Sequence, residues 1–264
     1  MLHVKIFEKN EVYGKHVVNL LSDLHEKIFL PPNNITSDDI ISAYIHPGAA
    51  ISKIAIYYDD NIPVGFMCMQ RYETEINNKK SNIFRSQVGL LKDYRNKNIV
   101  KLTYLKFVIS EMLLTPRKSL FFELCVHPSS YCSMLKKGCN RNKVWPTKEN
   151  AQQNAPMKDL CETLLNKFDL EIKRENGVFI HNDGLGPTRV EKKPKGGISS
   201  DAQFFIETNP GYVNGDGLAI IVSLSVKDIL VNIFHQMLSK MNRSLMTRPL
   251  HGREESPQEK PNEI

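Results

Sequence analysis

The stretch Ser86-Gln-Val-Gly-Leu-Leu-Lys-Asp-Tyr-Arg-Asn-Lys-Asn-Ile-Val-Lys101 decides how this chain is read. An apolar strand, residues 82–91, runs into a short polar loop, and the loop opens directly onto a helix expected over 99–114, which ends before Pro116. The first amides of a helix have no partner within it, and they sit at the positive end of its dipole. A loop of this kind therefore aims several N–H donors at one point, which suits a phosphate. A second strand follows at 119–126, then His127-Pro128, then a helix over 129–137 that Gly138 can close as a C-cap.

Working outward towards the N-terminus, residues 2–7 read as a strand and 12–28 as a helix, with Val17, Leu20, Leu21, Leu24 and Ile28 at helical spacing. Pro31 and Pro32 stop that helix, and Thr36-Ser37-Asp38-Asp39 can cap a short second one through Tyr44. A hairpin comes next: strand 51–58, turn 59–63 and strand 64–76, with a further turn at 77–80.

Towards the C-terminus, residues 140–155 are polar and read as an excursion, with the single tryptophan, Trp145, packed onto the main body. A helix is expected over 156–168 and strands over 170–173 and 177–181. Residues 184–200, rich in Gly, Pro and Lys, read as a mobile loop. The reading continues with a strand at 202–208, a turn at Asn209-Pro210-Gly211, a strand at 218–224 and a helix at 226–241 with a nearly unbroken apolar stripe. Asn-Gly and Asp-Gly within 209–217 are first of all hairpin chemistry.

The order β-α-α-β-β-β-α-β-α over residues 2–138, with the loop at 95–100, resembles the GNAT-type N-acyltransferases. The resemblance covers about half the chain. It implies an α/β (α+β) fold, with a mixed, mostly antiparallel central sheet flanked by helices. On this reading residues 1–139 form the acyl-CoA-binding region and 140–243 an α/β extension packed on it. That extension would cover the acceptor side or, equally, be a degenerate second GNAT-like half, and 244–264 would be a disordered tail.

In that family a Q/R-x-x-G-x-G/A loop binds the pyrophosphate of coenzyme A. The matching positions are Arg95, Asn96, Lys97, Asn98, Ile99 and Val100. Only the arginine is retained. Asparagine is the next most tolerant residue after glycine for a left-handed backbone, so Asn98 can serve the loop, whereas the branched side chain of Val100 crowds close approach. The resemblance also places the main chain of Gly89 and Leu91 against the pantetheine arm. A glycine inside an apolar strand suits a bulge or a close approach, and equally plain packing.

The next strand is where the family would place a catalytic group. Alternation puts Phe121, Glu123, Cys125 and His127 on one face. An amine must lose a proton to attack a thioester, so a base of near-neutral pKa is useful, and Glu123 and His127 are the candidates. The other readings are a salt-bridged strand carboxylate and a helix-initiating turn. Many members protonate the departing thiolate with a tyrosine on the following helix. Met134 stands at that position here, and Tyr131 lies one turn earlier.

Composition bounds the function. The 264 residues are 41% hydrophobic, 24% charged and 8% aromatic, ordinary values for a globular protein. No apolar run approaches the ~18 residues of a membrane span, and the N-terminus has no secretory leader pattern. Five cysteines without Cys-x-x-Cys pairs argue for a reducing, cytoplasmic setting and against a zinc module or other metal site. The net charge of +6 is scattered in short runs, such as 189–195, with no interleaved aromatics, which speaks against nucleic acid as a partner. No nucleophile elbow, P-loop or zinc-protease helix occurs. The expectation is an acyltransferase using acetyl-CoA or a longer acyl-CoA on an amine acceptor. The alternative is a catalytically inactive interaction protein on the same fold.

Overall fold

Strands β2 (Ile51–Asp59) and β3 (Ile62–Ile76) are apolar on both faces, the mark of a sheet covered by helices on both sides. The computed structural model describes residues 1–30, 36–45, 48–95, 99–136, 141–175, 177–182, 186–187 and 198–231. The other strands are β1 (Leu2–Glu8), β4 (Lys79–Leu90), β5 (Lys118–Cys125), β6 (Val144–Trp145), β7 (Lys173–Glu175), β8 (Val178–Asn182) and β9 (Asp216–Leu224). Together they form one sheet in the order β1-β2-β3-β4-β5-β9-β8-β7, with β6 also pairing with β9. All pairs are antiparallel except β4 with β5.

Helices α1 (Lys15–Ile28) and α2 (Ser37–Ile40) cover one face of the N-terminal half. Leu21, Leu24 and Ile28 meet Ile54, Ile56, Phe66 and Cys68 there. Thr36 caps α2 as the sequence implies, its hydroxyl accepting from the Asp39 amide at 3.2 Å, and the helix continues as a π-helical turn to Ile45. On the opposite face α3 (Ile99–Leu114) sets Phe107, Val108 and Met112 over Tyr57, Met69 and Phe84. Farther along, α4 (Pro128–Lys136) and α6 (Ser200–Thr208) cover Ile220 and Val222 on that same face. The reverse side of β5 and β9 carries Phe122 and Ile221 against Trp145 and α5 (Ala155–Lys167).

The fold is thus the mixed, mostly antiparallel sheet between helices that the sequence implies. The boundary drawn at residue 139 runs through it: β9 pairs with β5 along seven residues, from Ser119↔Leu224 to Cys125↔Leu218, so the C-terminal part extends the sheet edge to edge.

The strand expected at 202–208 is a helix. Its Phe-Phe-Ile run has strand-like composition, but Ser199 caps a helix there, its hydroxyl accepting from the Ala202 amide at 3.3 Å, and Asp201 sits in the first turn. Ala202, Phe205 and Thr208 recur at helical spacing on the buried side. The strand expected at 170–173 begins only at Lys173. The loop at 184–200 falls largely outside the described residues, as do the helix beyond Val231 and the tail at 244–264.

Candidate functional site

The parallel pairing of β4 and β5 is short. It runs from Ser81↔Lys118 to Phe84↔Phe121 and then stops, while β4 continues to Leu90 and β5 to Cys125. Beyond Phe84 and Phe121 the two strands part and leave a wedge between their main chains.

Register fixes which groups look into this wedge. Leu91 donates its N–H to the Val64 carbonyl at 3.0 Å. Bonded residues alternate along an antiparallel pair, so the amides and carbonyls of Gly89, Gln87 and Arg85 also turn towards β3. Those of Leu90, Val88 and Ser86 turn the other way, into the gap. Two contacts agree: Arg95 Nε donates to the Leu90 carbonyl at 3.0 Å, and the Ser86 N–H points at Glu123. The main chain of Gly89 and Leu91, which the resemblance sets against the pantetheine arm, is thus turned towards β3, and it is Val88 and Leu90 that face the gap.

Gly89 has a packing role. A Cβ at that position would lie 2.6 Å from the Phe66 ring and 3.1 Å from Ile28, so the absent side chain makes room for Phe66 on the α1 side. Arg95 is half-buried, and burial lowers its pKa. Val100 packs against the apolar core under α3, so its branched side chain has a place away from the loop. Asn96, Lys97 and Asn98 lie outside the described residues.

Glu123 occupies the wedge, on the α3 side of the sheet as alternation requires. One carboxylate oxygen accepts from the Ser86 N–H and the Ser86 hydroxyl, each at 3.3 Å, and the other accepts from the Leu124 N–H at 3.2 Å. These bonds are long, and burial dominates. Desolvation pushes the Glu123 carboxyl up to about 7, against the opposing pull of the Arg85 guanidinium and of the three hydrogen bonds. Arg85 lies on the reverse face at the root of the wedge, 4.6 Å from the Phe168 ring and 5.5 Å from the Phe122 ring.

His127 and Tyr131 are employed otherwise. His127 lies past the end of β5, and its Nδ1 accepts from the Ser129 N–H at 3.1 Å and meets the Ser129 hydroxyl at 2.7 Å, capping α4. An Nδ1 that accepts leaves the ring proton of a neutral imidazole on Nε2. Tyr131 is fully buried, donates its hydroxyl to the Pro146 carbonyl at 3.0 Å and packs on Phe205. Burial raises its pKa far above the ordinary phenol range. The Tyr131 hydroxyl is thus engaged by Pro146 in the core. Met134 packs at the edge of the same core.

Ser86 was missed as a site residue although it opens the decisive stretch. Its signal was parity: residues 86, 88 and 90 share one face and one direction of main-chain bonding, opposite to that of residue 89.

No family model matches the chain, and no curated protein does. Among solved structures it is similar to a conserved Enterococcus faecalis V583 protein described as a probable N-acyltransferase, at 11% identity and a TM-score of 0.38. That likeness covers 53% of this chain and 33% of the other, so the chain spans only about a third of that protein's length. It is similar to a chain of a NatC complex bound to Gag peptide and CoA, at 11% identity and TM-score 0.34, over 84% of this chain and 99% of that one. A putative GNAT-family acetyltransferase from Desulfovibrio desulfuricans matches at 9% identity and TM-score 0.34, over 84% and 100%. By strand order and by its parted parallel pair, the chain has a divergent GNAT-like fold.

Proposed function

We propose that this protein is an acyl-CoA-dependent N-acyltransferase acting on an amine acceptor. The observation that carries the reading is the wedge between β4 and β5, with a carboxyl poised near neutrality at its root. The donor's pantetheine arm would lie along the outward-turned amides and carbonyls of Val88 and Leu90, completing the ladder that β5 abandons. Its pyrophosphate would meet the start of α3, just after Arg95.

Glu123 would take a proton from the attacking amine as the C–N bond forms. Collapse of the tetrahedral intermediate breaks the C–S bond, and Glu123 can return that proton to the departing thiolate. One carboxyl near pKa 7 serves both steps, so the loss of the tyrosine acid is tolerable. Ser86 would act as a positioning residue that holds the carboxylate across the gap.

Calorimetric titration with acetyl-CoA and longer acyl-CoAs, paired with acyl-transfer assays on a panel of amines, tests this reading. Glu123→Gln should keep donor binding and lose turnover by about 100-fold or more. If no acyl-CoA binds, the reading is lost and the inactive interaction protein takes its place.

A further inference from the structure

A second concavity lies on the other side of α3 from the wedge. Tyr104 of that helix packs edge-on against Phe121 of β5, whereas Ile99, Leu102, Thr103 and Lys106 face a groove over β1, β2 and β3. The groove encloses about 630 Å³, within the range of about 300–1,000 Å³ typical of small-molecule clefts.

Its origin is geometric. Val4 and Ile6 on β1 stand opposite Tyr57 and Ala55 on β2, so they continue the buried α3-side face outwards. Helix α3 does not reach them, and they remain 42% and 44% exposed. On the outer side of the helix Leu102 is 61% exposed at the rim of the groove, in line with exposed Lys106 and Ser110.

The polar groups of the groove point to one chemistry. Its titratable members are His3, Lys53, Tyr57, Lys106 and Glu111. Glu111 lies 3.1 Å from Arg71, and with both side chains almost wholly buried its charge is matched inside the protein. Lys53 shares its charge with Glu8 at 3.1 Å. Lys106 is exposed and makes no ion pair among the described residues. The outcome is a floor of Tyr57, Met69 and Phe107 with one lysine at the rim, Lys106, outside any ion pair among the described residues.

We propose that this groove binds a free fatty acid, with the chain lying against Val4, Ile6 and Leu102 and the carboxylate at Lys106. The site is separate from the wedge, so neither reading depends on the other.

The test is a fluorescence titration of the full chain with cis-parinarate, repeated in the presence of saturating acetyl-CoA. The wild type should bind the probe whether or not acetyl-CoA is there, and Glu123→Gln should bind it equally well. Lys106→Glu should weaken binding about tenfold. Leu102→Glu should abolish it, and Leu102→Met, which keeps the apolar surface, should restore it. Several results would overturn the proposal. One is no binding, and another is displacement of the probe by acetyl-CoA. A third is adsorption only to vesicles of anionic phospholipid. The last is a dimer that Leu102→Glu dissociates, which would make the groove a contact between two copies.

Discussion

At the residue scale, Glu123 carries the most testable consequences. Its pKa is raised, so between the ordinary 4.5 and about 7 the folded chain keeps a proton that the unfolded chain has released. Stability is therefore lost as pH rises through this window, by up to about 3 kcal/mol for the full shift, and is flat above it. Comparing denaturant midpoints of the wild type and Glu123→Gln from pH 4.5 to 8 should show this slope in the wild type alone. Activity runs the opposite way. The rate should climb as Glu123 deprotonates near pH 7, and the variant's residual rate should lack that rise. Tyr131→Phe should cost about 1 kcal/mol through the lost bond to Pro146 and leave the rate per folded molecule unchanged. A large fall in that rate would return Tyr131 to the site. Gly89→Ala forces a methyl against Phe66 and should destabilise by about 1–3 kcal/mol, read from thermal or denaturant unfolding.

At the scale of elements, local chemistry and tertiary packing competed, and the two winners differ. Helix α2 starts where Thr36 and Asp39 satisfy each other's main chain, a signal written in four consecutive residues. Helix α6 carries an equally local cap at Ser199, but the aromatic and β-branched run behind it favoured the strand reading. Burial of Phe205 beside Tyr131 and Tyr212, and the pairing of Asp201 with Arg141 at 2.8 Å, favour the helix. Ser199→Ala should cost about 1 kcal/mol, whereas Ser199→Asp should be nearly neutral, as measured by urea unfolding. Helix α3 is tied to the sheet by Glu111. Removing its carboxylate in Glu111→Ala leaves the Arg71 guanidinium buried beside only Glu73 and Asn82. A loss of about 3 kcal/mol is expected in the same assay.

At the scale of the whole molecule, a single sheet joins segments far apart in the chain, and the wedge exists because of how they join. β9 is antiparallel to β5 from Ser119 to Cys125, so β5 is held on its far side while β4 is held by β3. Two strands anchored to different neighbours can diverge without leaving an unpaired edge strand behind. By itself the amino-acid order determined the succession of strands and helices through residue 136. It also determined the face that Glu123 shares with Phe121 and Cys125, because periods of 3.6 and 2 are local properties of the backbone. Tertiary structure alone decided where β4 and β5 part and that Val88 and Leu90, rather than Gly89 and Leu91, look into the gap. It also decided that the Tyr131 hydroxyl is bound to the Pro146 carbonyl. Register, pairing partners and desolvation depend on residues well apart in the chain, as where Ser119 meets Leu224 and Ser86 meets Glu123, and no local pattern records them.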